Sequence, residues 1–169
     1  MTSEMGDSLI AKAVRPYVDE VKKSAQKYGV PPYVVGGLIY TESSGNPWAI
    51  RVERGFWRRY FDGVKANVLR TKSKYDDKWI KYPDLASCSY GLCQIMLPVA
   101  WENGFVARFP TELLDPEKNI DLACKILSRH LARTGSIRRA LLRYNGGGDP
   151  DYPRRVMDAS RQVSVLFDP

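Results

Sequence analysis

The segment LLDPEKNIDLACKILSRHLARTG, residues 113–135, constrains the fold of this chain more narrowly than any other. Asp115 is suited to cap the start of a helix, Pro116 fits the first turn, and Gly135 fits the C-terminal stop. Four apolar residues recur at helical spacing on one face: Ile120, Cys124, Leu127 and Leu131. The segment therefore predicts a long amphipathic helix in which Cys124 is a buried core thiol and not a nucleophile.

Two more helices are predicted before this segment. Apolar spacing predicts a helix over residues 8–28, in which Pro16 is either a kink or the start of a second helix. Residues 32–43 are rich in small residues and apolar on most sides, and SGNP follows them, which predicts a central helix with a defined end. We expect residues 1–27 to form an N-terminal helical extension.

The rest of the ordered sequence is also helical in pattern. Pro98 is placed to open a short helix, Ser136 can cap the helix IRRALLRYN, and residues 153–167 predict a last helix. No repeat and no strong strand pair is visible. We therefore expect one mainly helical domain over residues 1–169.

The segment 51–87 lacks clear periodicity, and a weakly patterned stretch of this length is usually functional or an insertion. We expect short helices there, anchored by aromatic side chains. Its aromatic residues are Phe56, Trp57, Tyr60, Phe61, Tyr75, Trp79 and Tyr82.

A net charge of +7 and a pI near 9.4 favour an anionic partner. Nucleic acid, anionic lipid and the bacterial cell wall are the candidates, although scattered basic residues are also typical of an ordinary solvated surface. No nucleic-acid recognition motif accompanies the charge, so we expect no nucleic-acid partner. No apolar run approaches the roughly 20 residues that a membrane span needs.

Cysteine and histidine usage argues against several kinds of site. The chain has three cysteines, no CxxC motif and a single histidine, His130, so a zinc site is not expected. A Ser-His-Asp or Cys-His mechanism would depend on His130, which the pattern places on a helix surface. We predict no metal and no organic cofactor.

Glu42 is the most informative single residue, because it ends the apolar run VVGGLIYTE. A carboxylate at a helix C-terminus faces the negative end of the helix dipole, and apolar neighbours also disfavour its charged form. Both effects raise the pKa, which suits a general acid near neutral pH. An ordinary exposed glutamate at a helix end is the alternative that this stretch alone leaves open.

Three further stretches resemble parts of a sugar-binding cleft. SYGLCQIM, residues 89–96, places a glutamine inside an apolar run, where it needs polar partners that a sugar could supply. RYNGGG, residues 143–148, ends a helix with Tyr, Asn and glycines that let backbone approach a ligand. DYPRRV, residues 151–156, adds another tyrosine.

Five motifs follow one another along the chain: ESSGNP, S-x-G-L-x-Q-I-M, L-x-D-P-x-x-N-I, A-L-x-x-Y-N-G-G and Y-x-x-R-V. Together and in this order, they resemble the catalytic domain of soluble-type lytic transglycosylases, which are related to goose-type lysozyme. The resemblance covers about residues 28–157. It implies a single helical domain of the α+β lysozyme-like superfamily with a substrate cleft. It also implies cleavage of peptidoglycan glycan strands, between N-acetylmuramic acid and N-acetylglucosamine, by a protein that we expect to be a monomer.

The resemblance also assigns roles to individual residues. Glu42 matches the family's single catalytic acid. Ser89 matches the serine that lies beside the reacting sugar, and Gln94 matches a substrate-contacting glutamine. Tyr144 matches a tyrosine whose hydroxyl lies near the acid, and Asn145 matches a sugar-contacting asparagine.

Other matches are less direct. Tyr152 matches a tyrosine of the cleft. Asp115, Pro116 and Asn119 match positions that we interpret as structural. The chain departs from the family at Cys93, where Met is usual, and at Arg143 and Gly146, where Ala is usual. Arg143 adds a positive charge at this position, which puts in question how the cleft binds the anionic components of the cell wall.

Two outcomes of cleavage stay open. In the family's mechanism the acid protonates the glycosidic oxygen and the sugar's own 6-hydroxyl closes a 1,6-anhydro ring, so no second carboxylate is needed. A goose-type muramidase would instead hydrolyse the bond with a second acid, for which the acids of the segment 51–87 are candidates, Glu53 and Asp62 first among them. A non-catalytic wall-binding module is a third and weaker hypothesis, since it leaves the set Glu42, Ser89, Gln94 and Tyr144 unexplained.

The substrate places the expected site of action in the periplasm or outside the cell. No basic and then apolar secretory signal is visible at the start of the sequence. A phage protein carried in a virion or released through a holin is one expectation, and a domain cut from a longer exported chain is the other.

Overall fold

A computed structural model describes residues 8–55, 58, 83–106 and 109–168 of the chain. In chain order its helices are α1 Leu9–Val14, α2 Val18–Tyr28, α3 Pro32–Ser43, α4 Pro83–Ala86, α5 Leu97–Glu102, α6 Pro116–Thr134, α7 Ile137–Tyr144 and α8 Tyr152–Val163. Short 3-10 helices occupy Arg15–Tyr17, Pro110–Leu114 and Ser164–Leu166. The expectation of a mainly helical chain is confirmed.

The predicted helix ends are confirmed where capping chemistry defined them. Pro16 lies in the 3-10 turn that separates α1 from α2. The Asp115 carboxylate accepts from the Lys118 N–H at 3.0 Å, and Gly135 ends α6 in the left-handed conformation, with φ 64°. Ser136 caps α7, and α8 begins at Tyr152 with Pro153 in its first turn.

The sequence pattern shows no strong strand pair, whereas the structure contains a short sheet. Three strands, β1 Ile50–Val52, β2 Cys88–Tyr90 and β3 Ile95–Met96, form an antiparallel sheet in the order β1–β2–β3. Residue 51 pairs with residue 89 across β1 and β2. Strands of two or three residues are too short to show an alternating pattern, and the partner of β1 lies far along the chain.

The core is built around α3. Every residue from Val34 to Ile39 is buried, which explains why this helix is apolar on most sides. α8 crosses α3 at Gly37, where an added Cβ would lie 2.2 Å from Ser160 Oγ and 2.6 Å from the Val156 carbonyl oxygen. Only glycine permits this approach of the two backbones, and the approach brings the end of α3 close to the start of α8.

The N-terminal segment, predicted as a helical extension, packs on the turn that ends α3. The Tyr17 hydroxyl donates to the Gly45 carbonyl at 3.0 Å. Gly45 has φ 79° and lies so close to the Ala13 carbonyl that a Cβ would reach 2.4 Å from its oxygen. These contacts hold the turn that follows Glu42.

Cys124 is fully buried on α6, as predicted for a core thiol, and Cys88 and Cys93 are also buried free thiols. None of the helices in the described ranges has the length and apolar composition needed to cross a bilayer. The aromatic residues predicted to anchor the segment 51–87, and the candidate acid Asp62, lie outside the described residues.

Candidate active site

Glu42 lies in the last turn of α3, two residues before the left-handed cap formed by Ser44. Its side chain is 9% exposed. Burial raises the pKa of the Glu42 carboxyl above its ordinary value, while a hydrogen bond from Tyr152 and the charge of Arg51 partly oppose that pKa shift. The predicted direction of the shift is confirmed, and a raised pKa is what a general acid needs near neutral pH.

Tyr152 is the direct partner of this acid. It is the first residue of α8, its side chain is 2% exposed, and its hydroxyl donates to Glu42 Oε1. Burial and the neighbouring Glu42 raise the pKa of Tyr152 far above the usual range, so the phenol stays a hydrogen-bond donor at any working pH. The glycine crossing of α3 and α8 is what makes this contact possible.

Arg51 connects Glu42 to a second carboxylate. Its Nη2 atom lies 3.9 Å from Glu42 Oε2, and its Nε donates to Glu53 Oε1 at 2.7 Å. Glu53 follows directly after β1, so the sheet places both residues near the acid. Their charges act on Glu42 in opposite senses, since Arg51 lowers its pKa and Glu53 raises it.

Ser89 and Gln94 form the polar face of the hairpin between β2 and β3. The Gln94 amide nitrogen donates to the carbonyls of Ala49 at 3.1 Å and Gly91 at 2.9 Å, which fixes its oxygen toward Ser89. The Ser89 hydroxyl lies 2.8 Å from that amide oxygen and 3.1 Å from Glu53 Oε1. The Arg51 carbonyl oxygen also lies 3.4 Å away, so the single hydroxyl proton has three acceptors within reach, and the hairpin is joined to Glu53.

Asn119 holds the same hairpin from behind. This fully buried side chain on α6 accepts from the Cys93 N–H at 2.8 Å and donates to the carbonyls of Tyr90 and Leu113 at 3.0 and 2.7 Å. Gly91, with φ 74°, gives it room, because a Cβ there would lie 2.6 Å from its amide nitrogen. The structural interpretation of Asn119 is consistent with these contacts.

Tyr144 and Asn145 end α7 at the edge of the site. The Tyr144 hydroxyl donates to the Cys93 carbonyl at 2.9 Å, and burial raises its pKa well above the usual range. Glu42 contributes to that pKa shift, which places Tyr144 near the acid, although the tyrosine that bonds Glu42 is Tyr152. The Asn145 side chain is exposed at a pocket edge, available to a ligand.

The structure thus brings Glu42, Tyr152, Ser89 and Gln94 to one place, with Tyr144 and Asn145 beside them. The substrate contacts predicted for these residues stay predictions. Sequence reasoning missed Arg51, because its role depends on the pairing of β1 with β2 that the sequence pattern did not show. Within the described ranges, no group of three or more His, Cys, Asp or Glu side chains is arranged to hold a metal ion.

Comparison with known proteins identifies the family to which the chain is similar. The family model described as "Transglycosylase SLT domain" matches residues 19–161, which include all the site residues named above. A protein named "Transglycosylase" from Enterobacteria phage PRD1 is 27% identical over 157 residues, which cover 88% of this chain and 43% of that protein.

A second relative is named "Membrane-bound lytic murein transglycosylase C" and comes from Edwardsiella ictaluri (strain 93-146). It is 24% identical over 180 residues, which cover 98% of this chain and 41% of the relative. The chain therefore spans less than half the length of each of these two relatives.

Proposed function

Because this chain belongs to the transglycosylase SLT domain family, we propose that it is a peptidoglycan lytic transglycosylase. The observation that carries the proposal is Glu42, a carboxyl that is 9% exposed, has a raised pKa and accepts a hydrogen bond from the buried Tyr152 hydroxyl. The names of the phage and bacterial relatives support the same reaction.

In the first step, protonated Glu42 donates its proton to the glycosidic oxygen between N-acetylmuramic acid and N-acetylglucosamine. The bond between C1 and that oxygen breaks, and the substrate's own acetamido group stabilises the cationic sugar. Tyr152 and Arg51 then stabilise the carboxylate that Glu42 has become, since one donates a hydrogen bond to it and the other carries a positive charge beside it.

In the second step, the Glu42 carboxylate takes the proton of the sugar's 6-hydroxyl, whose oxygen attacks C1 and closes the 1,6-anhydro ring. This oxygen is already tethered near C1, so ring closure has the advantage of an intramolecular reaction and needs no captured water. One carboxyl serves both steps and ends the cycle protonated. We propose that Ser89, Gln94, Tyr144 and Asn145 bind the sugars around it.

A goose-type muramidase is the second candidate, and one observation favours it. Glu53 is a carboxylate that Arg51 joins to Glu42, so a base for water lies within the same cluster. Against that role, Glu53 Oε1 is already engaged by Arg51 Nε at 2.7 Å and lies 3.1 Å from the Ser89 hydroxyl. We therefore assign Glu53 to positioning Arg51 and Ser89.

The site of action that follows from this substrate is the bacterial cell wall. Periplasmic action, delivery in a virion and release through a holin are each compatible with the proposed reaction. We propose that the protein acts as a monomer, since Glu42 and its partners all come from one chain.

A matched pair of variants tests the proposal. Glu42→Gln keeps the shape of the side chain but cannot donate a proton, so cleavage should fall by about 10²–10⁴-fold or more. Glu53→Gln should keep measurable cleavage and release the same 1,6-anhydro products. Clearing of a peptidoglycan suspension gives the rates, and mass spectrometry gives the products. The protein would be a hydrolase if both variants lost activity to a comparable degree and the parent protein released products that are heavier by one water.

A further inference from the structure

A pocket of about 500 Å³ lies beside the candidate site, between α5, the second half of α6 and the end of α7. It shares Gln94, Tyr144 and Asn145 with the site, whereas Glu42 is not among the described residues that line it. The pocket is therefore continuous with the residues assigned to sugar binding, although the acid itself does not line it.

The wall of this pocket is strongly basic. Arg129, Arg133 and Arg143 line it, and Glu102 is the only acid among its described lining residues. Arg129 donates to Asn103 Oδ1 at 2.7 Å. Arg133 and Arg143 are exposed, and neither forms an ion pair with a residue in the described part of the chain.

His130 lines the same pocket as the three arginines. Burial lowers the pKa of His130, and the charges of Arg133, Arg143 and Arg129 lower that pKa further, so His130 is neutral near pH 7 and adds no charge. Its Nδ1 atom is buried without a hydrogen-bond partner among the described residues. Three arginines that line one pocket suit an oxyanion, which guanidinium groups bind with directed hydrogen bonds.

The chemistry of the proposed substrate offers one such group. The N-acetylated sugars of the glycan backbone are uncharged, and the negative charge of peptidoglycan is carried largely by carboxylates of the stem peptides on N-acetylmuramic acid. The floor of the pocket adds apolar surface from Met96, Val99 and Ile126, which suits the aliphatic parts of a peptide. Tyr144 and Asn145 line the same pocket as these arginines, so a stem peptide on a sugar bound there has basic side chains beside it.

We propose that this pocket binds a carboxylate of the stem peptide, with Arg133 and Arg143 as the groups that hold it. The inference rests on the proposed function, because it takes its ligand from the same substrate. It gives a specific role to Arg143, the residue at which the sequence departs from the family pattern, and to part of the net charge of +7.

The test is a cycle of two proteins and two substrates. Peptidoglycan is N-acetylated, and half of it is then treated with carbodiimide and methylamine, which turns the stem carboxylates into neutral amides. The Arg133→Gln/Arg143→Gln double variant should lose about three- to tenfold in kcat/KM on the untreated substrate, as expected for two exposed ionic contacts. On the amidated substrate the variant and the parent protein should be equal.

Arg138→Gln is the matched control, since Arg138 is an exposed arginine of α7 that does not line the pocket. It should behave like the parent protein on both substrates. The Arg133→Gln/Arg143→Lys variant, with Lys instead of Gln at position 143, should recover part of the rate that the double Gln variant loses. Equal losses on the two substrates, or no loss on either, would overturn the inference. Thermal melting of each variant separates a folding defect from a binding defect.

The outcomes also separate this inference from the proposed function. The cycle measures total cleavage, so products that contain added water would overturn the transglycosylase assignment and leave the carboxylate contact standing. If the parent protein cleaves neither substrate, the proposed function fails. Cosedimentation of the same variants with the two insoluble substrates then tests the carboxylate contact. The contact is supported if the double variant binds the untreated substrate less than the parent protein does but binds the amidated substrate equally.

Discussion

The crossing of α3 and α8 at Gly37 gives the most direct way to perturb the site from a distance. In Gly37→Ala the new methyl group would lie 2.2 Å from Ser160 Oγ, 2.6 Å from the Val156 carbonyl oxygen and 2.7 Å from the Ser160 amide nitrogen. Two of these three atoms belong to the backbone of α8 and cannot rotate away. The two helices therefore have to separate.

The expected cost follows from two opposing effects. Overpacking of this kind costs about 1–3 kcal/mol, and contact with backbone atoms places Gly37→Ala near the upper end. Alanine in place of glycine stabilises a helix by about 1 kcal/mol. The net loss is about 2 kcal/mol, which corresponds to a fall in Tm of about 4–8 °C for a chain of this size.

Gly36→Ala is the matched control on the same helix. Its methyl group would lie 2.9 Å from Phe167 Cε2 and 3.0 Å from Val163 Cγ2, and both are side-chain atoms that can shift. The helix propensity gain is the same, so this variant should lie within about 1 kcal/mol of the parent protein.

Urea denaturation of the three proteins measures these differences, and peptidoglycan clearing measures their activity. Gly37→Ala should lose activity beyond its loss of stability, because a shift of α8 withdraws Tyr152 from Glu42. A Gly37→Ala protein as stable as Gly36→Ala, with unchanged activity, would show that the close crossing does not position the site.

Three further predictions concern the acid and the hairpin. In Tyr152→Phe the Glu42 carboxylate loses a hydrogen bond that lowers its pKa, so the alkaline limb of the kcat/KM profile should move to higher pH. The pKa of Glu42 in the folded state is raised above its ordinary value of 4.5. The folded state is therefore destabilised as pH rises above 4.5, because ionisation of Glu42 is harder in the folded than in the unfolded chain. The Tm of Glu42→Gln relative to the parent protein should therefore increase between about pH 4 and about pH 8; a constant difference would contradict the raised pKa. Asn119→Ala leaves three buried backbone groups without partners and should cost about 3 kcal/mol in urea denaturation, and a loss below about 1 kcal/mol would show that water replaces them.

The helices could be predicted from the sequence because capping residues within the local sequence define their ends. Asp115 and Gly135 define α6 whatever surrounds it, and SGNP similarly ends α3. Glu42 could be singled out because a helix end and apolar neighbours both act on its pKa, and the buried side chain confirms the effect of the apolar neighbours.

The missed features all depend on contacts between distant parts of the chain. The strands are too short to show a period, so the sheet that carries Arg51 and Glu53 to Glu42 left no local signal. Tyr152 lies 110 residues from Glu42 in sequence, and its contact requires the glycine crossing. Likewise, Arg133 and Arg143 come together only where α6 meets α7.

The central claim is that Glu42 cleaves the strand without consuming water. The most direct measurement is a digest of peptidoglycan in water labelled with the heavy isotope of oxygen, followed by mass spectrometry of the released muropeptides. The account predicts 1,6-anhydro-N-acetylmuramic acid ends that contain no label, formed by the parent protein and not by Glu42→Gln. Reducible N-acetylmuramic acid ends that carry one labelled oxygen would contradict it, because that oxygen can come only from water.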